Sequence, residues 1–179
     1  MKKFLISILS ATILTFAVVA QDSSKTIVCF FSATGNTERI AKAAAEAIGA
    51  DIHEIIPVHE YTNADLNWND RNSLTSQERN DSKLRPAIAN SVDLSSYDNV
   101  ILAYPIWWSM APKIMYTFVE NNDLKGKNLI TICTSGGSGL GRSGSDLANY
   151  ADGAIFKGGR QFSRVTNSDL KNYMENLLK

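Results

Sequence analysis

The chain has 179 residues, of which 44% are hydrophobic, and its 18 basic and 18 acidic side chains balance. That length predicts one folded domain with a sizeable core. The near-neutral charge argues against a nucleic-acid partner, which normally requires a basic stripe.

The first twenty residues form a separate object. Lys2 and Lys3 precede an apolar stretch from Phe4 to Val19, and Val18-Val19-Ala20 offers small residues to a signal peptidase. This is the pattern of a secretory signal peptide cleaved after Ala20. A membrane anchor is the competing reading. The stretch, however, carries Ser7, Ser10, Thr12 and Thr15 and is shorter than the roughly 20 apolar residues of a spanning helix. No cysteine follows the site, against a lipoprotein. Cleavage removes two of the 18 basic residues and none of the 18 acidic ones, leaving a net charge near −2. The expectation is an exported, periplasmic protein without stable membrane insertion, whose single domain covers residues 25–179.

Short apolar runs then alternate with helical patterns, the signature of parallel strands joined by crossover helices. The runs are Ile27 to Phe31, Asp51 to Ile56, Asn99 to Tyr104, Asn128 to Thr134 and Ala154 to Phe156, which predicts five strands. A helix from Glu38 to Ile48 presents Ile40, Ala44, Ala47 and Ile48 on one face, and Gly49 is placed to end it. Pro112 suits a first helical turn, followed by Ile114, Met115, Phe118 and Val119. The last helix, entered through Asn167 or Ser168, carries Leu170, Tyr173, Met174 and Leu177. Between the second and third strands, Pro57 to Ser96 is a long polar excursion with a helix predicted over Ser73 to Asn80. Its Tyr61 and Trp68 either lie over a site or anchor the excursion to the body.

Ligands of an open parallel sheet sit beyond the carboxyl ends of its strands. After the first strand comes Ser32-Ala33-Thr34-Gly35-Asn36-Thr37, directly before a helix. Three hydroxyls, a glycine free to turn and a helix N-terminus worth roughly half a positive charge make a phosphate cradle. This segment is neither a G-x-x-x-x-G-K-[ST] loop with its lysine nor a G-x-G-x-x-G turn. A single terminal phosphate is therefore expected. After the third strand, Tyr104-Pro105-Ile106-Trp107-Trp108-Ser109-Met110 brings paired tryptophans, which suit a flat aromatic ligand, although one can turn inward as core. After the fourth, Thr134-Ser135-Gly136-Gly137-Ser138-Gly139-Leu140-Gly141 lets backbone donors approach a polar ring edge. His53 and His59 are isolated and offer no metal-ligand spacing.

These three ordered motifs, with Tyr97-Asp98 leading into the third strand, resemble the flavodoxin family over Lys25 to Lys179. The resemblance is to a bacterial branch with a tyrosine-proline-isoleucine-tryptophan-tryptophan loop. It implies a flavodoxin-like α/β three-layer sandwich: a five-stranded parallel sheet in order 2-1-3-4-5, helices on both faces, and FMN at its edge. By the same resemblance Ser32, Ala33, Thr34, Gly35, Asn36 and Thr37 hold the FMN phosphate. Tyr104, Pro105, Ile106, Trp107 and Trp108 flank the isoalloxazine, and Thr134, Ser135, Gly136, Gly137, Ser138 and Gly139 meet its pyrimidine side. The implied order puts one strand between Cys29 and Cys133, hence roughly 9.5 Å between them. That is beyond the disulfide limit of about 7 Å, so two buried free thiols are expected.

Two features depart from shuttle flavodoxins. The chain is not strongly acidic, so long-range steering is weaker. The loop after the third strand has no glycine and the Gly-rich loop no aromatic, only Leu140, which disfavours a stable one-electron reduced flavin. The leading expectation is an exported FMN-binding electron-transfer protein with an unnamed redox partner. The alternatives are an FMN-dependent NAD(P)H or quinone oxidoreductase and a flavin-free binding module.

Overall fold

The computed structural model describes residues 24–162 and 167–178, so the predicted signal peptide lies outside the described residues. Strands β1 (Thr26–Phe30), β2 (Asp51–Glu54), β3 (Asn99–Pro105), β4 (Asn128–Thr134) and β5 (Ile155–Gln161) form one sheet in order β2-β1-β3-β4-β5. Every neighbouring pair is parallel. The helices are α1 (Asn36–Ile48), α2 (Leu74–Asn80), α3 (Lys113–Asn121), α4 (Ser143–Ala148) and α5 (Asn167–Leu177). None of the described helices is long and apolar enough to cross a membrane.

The period-2 alternation of each central strand splits the core in two. Val28, Phe30, Ile101, Ala103, Ile130 and Ile132 face α1 and α5, meeting Ile40, Ala41, Ala44, Leu170 and Met174. Ile27, Cys29, Val100, Leu102, Tyr104, Leu129 and Cys133 face the other way, against Ile114, Met115 and Phe118 of α3 and Leu147 of α4. The excursion joins this second layer through Tyr61 and Leu94. Both faces of the sheet are thus covered, as an all-parallel sheet requires.

Five local readings are corrected. Strand β5 continues to Gln161, although Gly158-Gly159 reads as a break; a Cβ on Gly159 would stand 2.0 Å from Thr131 Oγ1, so close approach to β4 requires glycine there. Strand β2 stops at Glu54: Ile55 N–H still donates to Phe30 C=O, but Ile56, Pro57 and Val58 already pair with Ala87 to Ala89 of the excursion. Helix α4 has no signal in its Ser/Gly-rich sequence and is held by burial of Ser143 and Leu147. Pro112 is the N-cap of α3 rather than its first helical residue. Asn167 and Ser168 already belong to α5 rather than preceding it.

Cys29 is paired in register with Leu102 and Cys133 with Tyr104, which places β3 between them. Both thiols are free and buried, and burial pushes each up to about 12. The native protein is therefore expected to resist iodoacetamide at pH 8 and to take up two equivalents once denatured. Intact-mass measurement checks this, and rapid labelling of either thiol in the native state would contradict it.

Candidate functional site

Three strand ends build one edge. Beyond β1, Phe31 is buried and the chain turns at Gly35, whose φ of +77° is a left-handed conformation that a side chain resists. Gly35 caps α1 without a side-chain hydrogen bond, and the first intrahelical bond runs from Arg39 N–H to Gly35 C=O at 3.1 Å. The N–H groups of the first turn consequently point out of the helix end. Ser32 Oγ is buried with no hydrogen-bond partner among the described residues. Asn36 donates to Thr34 Oγ1 at 3.2 Å, which ties the cradle's rim.

Beyond β3 the Ile106 N–H donates to Thr134 C=O at 2.8 Å, locking the second loop to the third. Trp107 and Met110 exchange backbone hydrogen bonds of 3.0 and 2.9 Å around Trp108 and Ser109, whose φ values are +53° and +64°. Two side-chain-bearing residues in left-handed conformations cost about 1–2 kcal/mol each, so packing must hold the turn. The adjacent tryptophans diverge. Trp107 packs edge-on against Phe31 at 5.5 Å and Tyr61 at 5.2 Å between ring centroids. Trp108 carries the Arg79 guanidinium 4.3 Å from its ring centroid.

Beyond β4, Thr134 Oγ1 lies 2.7 Å from Thr37 Oγ1 in a buried pair, so one hydroxyl proton is shared and the other is available to a ligand. The loop then closes on itself, with the N–H groups of Gly137 and Ser138 donating to Ser135 Oγ at 3.1 and 3.0 Å.

Between these loops lies a cleft of about 630 Å³, within the usual size of a cofactor site. From the residues singled out in sequence it is lined by Ser32, Ala33, Thr34, Asn36 and Thr37, by Pro105 to Trp108, and by Thr134 to Gly136. Gly35 shapes the cradle's turn from outside that lining. Tyr104 lies beneath the cleft, fully buried, with its hydroxyl 3.2 Å from Ser143 Oγ. Gly137, Ser138 and Gly139 stand back from the cleft, and Leu140 packs into the core instead. Four further residues complete the walls: Arg39 from α1, and Leu66, Trp68 and Thr75 from the excursion. Trp68 was legible as an aromatic on a polar segment. Leu66 and Thr75 carry no local signal, because the excursion's return path sets their position, and Arg39 is one charged residue among several on α1.

The excursion is fastened behind the cleft. The Tyr61 hydroxyl donates a short hydrogen bond to Glu78 Oε1, while Glu78 Oε2 is buried without a partner among the described residues. Arg85 grips Glu120 at 2.7 and 2.8 Å, and Thr117 donates to the Pro86 carbonyl at 2.9 Å. Burial raises the Glu78 carboxyl above its ordinary 4.5, outweighing the Tyr61 hydroxyl and the Lys113 N–H that favour the anion. Folding therefore prefers the acid form. The resulting stabilisation is full below pH 4.5 and is lost as pH rises through the raised folded value. Glu78→Gln, which keeps an acceptor for Tyr61 without charge, is expected to flatten this dependence and to be relatively most favourable at neutral pH. Urea midpoints of both proteins between pH 4 and 8 test it; parallel profiles would contradict the assignment.

The sheet order, the hydroxyl-lined cradle at a helix N-terminus and the aromatic wall define a parallel α/β protein built to hold a phosphorylated planar ligand at its switch point. The flavodoxin family model matches residues 25–177, and the chain belongs to the flavodoxin family. Among solved structures it is similar to a provisionally assigned flavoprotein from Bacteroides eggerthii. The two are 40% identical over 87% of this chain and 99% of that one, with a TM-score of 0.83. A second provisionally assigned flavoprotein, from Bacteroides uniformis, is 39% identical over 85% and 98%, with a TM-score of 0.81. A flavoprotein from Lactobacillus acidophilus, solved in complex with FMN, shares the fold at 18% identity over 85% and 99%, with a TM-score of 0.63. No curated protein matches the chain.

Proposed function

We propose that the cleft binds FMN and that the protein is an exported electron-transfer flavoprotein. The observation that carries this reading is the buried Ser32 hydroxyl, unpartnered among the described residues, beside the N-terminus of α1, which receives no side-chain cap. A buried hydroxyl without a partner is costly, and a phosphate oxygen in the cradle would satisfy it while meeting the helix's positive end. Ser32, Thr34, Asn36 and Thr37 would hold the phosphate. Ile106, Trp107 and Trp108 would wall the ring, with Thr134 to Gly136 at its polar edge. Bound FMN supplies the redox chemistry; the chain supplies position and a largely apolar wall. Purified protein should be yellow and release FMN on heating, whereas a colourless protein that refuses added FMN would sink the proposal. Export is tested separately by N-terminal sequencing of the secreted form, expected to begin at Gln21.

The second reading, a quinone or NAD(P)H oxidoreductase, is favoured by one feature. Leu66, Trp68 and Thr75 of the excursion join the cleft's lining beyond the three strand-end loops, where a second ligand would lie beside the flavin. Steady turnover of NAD(P)H with a quinone by the FMN-loaded protein would select it over a carrier role.

A further inference from the structure

A second groove of about 610 Å³ adjoins the cleft and shares two of its walls, Trp68 and Trp108. Its other lining includes Arg71 and Arg79, and no carboxylate faces it. Neither arginine makes an ion pair among the described residues. Arg79 is held by stacking on Trp108, which fixes the plane of the guanidinium and leaves its edge free to donate. Trp68 is 69% exposed, an expensive display of indole surface on a helix-poor polar segment. Exposed indole, an arginine stacked on a second indole and a further unpaired arginine recognise one chemistry: a flat ring carrying an anionic group.

We propose that this groove binds a small planar aromatic anion, such as a ring bearing a carboxylate or sulfonate, as a second ligand beside the flavin cleft. The ring lies against the exposed Trp68, and its anionic group meets Arg71 and the Arg79 guanidinium that Trp108 holds in place. Binding is a property of the groove itself. Only its use as an electron acceptor or donor rests on the flavin reading.

The test is calorimetric titration of the full protein, flavin-free and FMN-loaded, with 2-naphthalenesulfonate and with neutral 2-naphthol. The sulfonate is expected to bind both forms, about tenfold more tightly than the naphthol and less tightly in high salt. Arg71→Gln should weaken it about threefold to fivefold while leaving FMN affinity unchanged, and Arg71→Gln/Arg79→Gln about tenfold or more. Equal affinity for the sulfonate and the naphthol would overturn the proposal. So would undiminished binding to the double variant, or displacement of the sulfonate by FMN, which would place it in the flavin cleft. A protein that binds the sulfonate with the expected arginine dependence but refuses FMN would uphold the groove and refute the flavin reading.

Discussion

Ser32→Ala is expected to stabilise the flavin-free protein and to weaken FMN binding, two effects of opposite sense from one atom. In the free protein the Ser32 hydroxyl is buried without a partner among the described residues, so removing it relieves a desolvation cost of about 1 kcal/mol or more. On the proposed reading the same hydroxyl would donate to a charged phosphate oxygen of bound FMN. Loss of such a bond costs about 1.5–3 kcal/mol, or roughly 10- to 100-fold in affinity. Urea denaturation of the apoprotein and fluorescence titration with FMN read the two effects independently. A merely structural serine would lower stability on truncation and leave FMN affinity unchanged, so that pair of results would remove Ser32 from the cradle.

Trp107→Ala is expected to be the most damaging single change at the second loop. The indole completes an aromatic cluster between the sheet edge and the excursion, touching Phe31 just beyond β1 and Tyr61 from the excursion, which also touch each other. Tyr61 is itself fixed by Glu78 of α2. Truncation removes a half-buried indole from this aromatic cluster and widens the cleft, and should cost about 2 kcal/mol or more. It also releases the packing that holds Trp108 and Ser109 at positive φ, so the turn should relax and the wall beside the ring should lose definition. FMN affinity should fall although the phosphate cradle is untouched. Trp107→Phe, which keeps an aromatic contact, should recover much of the stability. Chemical denaturation and flavin titration of both variants check the account; a Trp107→Ala protein as stable as the parent would contradict it.

The sheet was legible because buried parallel strands are written as continuous apolar runs, and Ile27 to Phe31 or Asn128 to Thr134 can hardly be anything else. The cradle was legible because its chemistry is contiguous: strand, hydroxyls, Gly35 and helix follow one another in six residues. Elements fixed by distant packing were not. Helix α4 is Ser/Gly-rich and exists because Leu147 is buried and Ser143 meets Tyr104, contacts that local propensity does not encode. Strand β5 was cut short for the same reason, since Gly159 is required by Thr131 of the neighbouring strand. At the site, Tyr104 belongs to the motif by position yet strand alternation turns it under the cleft. Gly137 and Ser138 carry the right composition, but their donors are committed to Ser135. The arginines and Leu66 on the outer wall arrive from three segments and leave no mark in any one of them.

These placements give the flavin reading a definite division of labour. On that reading the phosphate end would be gripped by hydroxyls and backbone donors that the fold presents in any case, whereas the ring end would be walled by a turn held under strain by Trp107. The most direct measurement is the affinity of the apoprotein for FMN against riboflavin, which differ only in the phosphate. The account predicts FMN to bind at least about a hundredfold more tightly, the contribution expected of several charge-assisted hydrogen bonds. Equal affinities for the two, or no binding of either, would contradict the cradle as the anchor of the site.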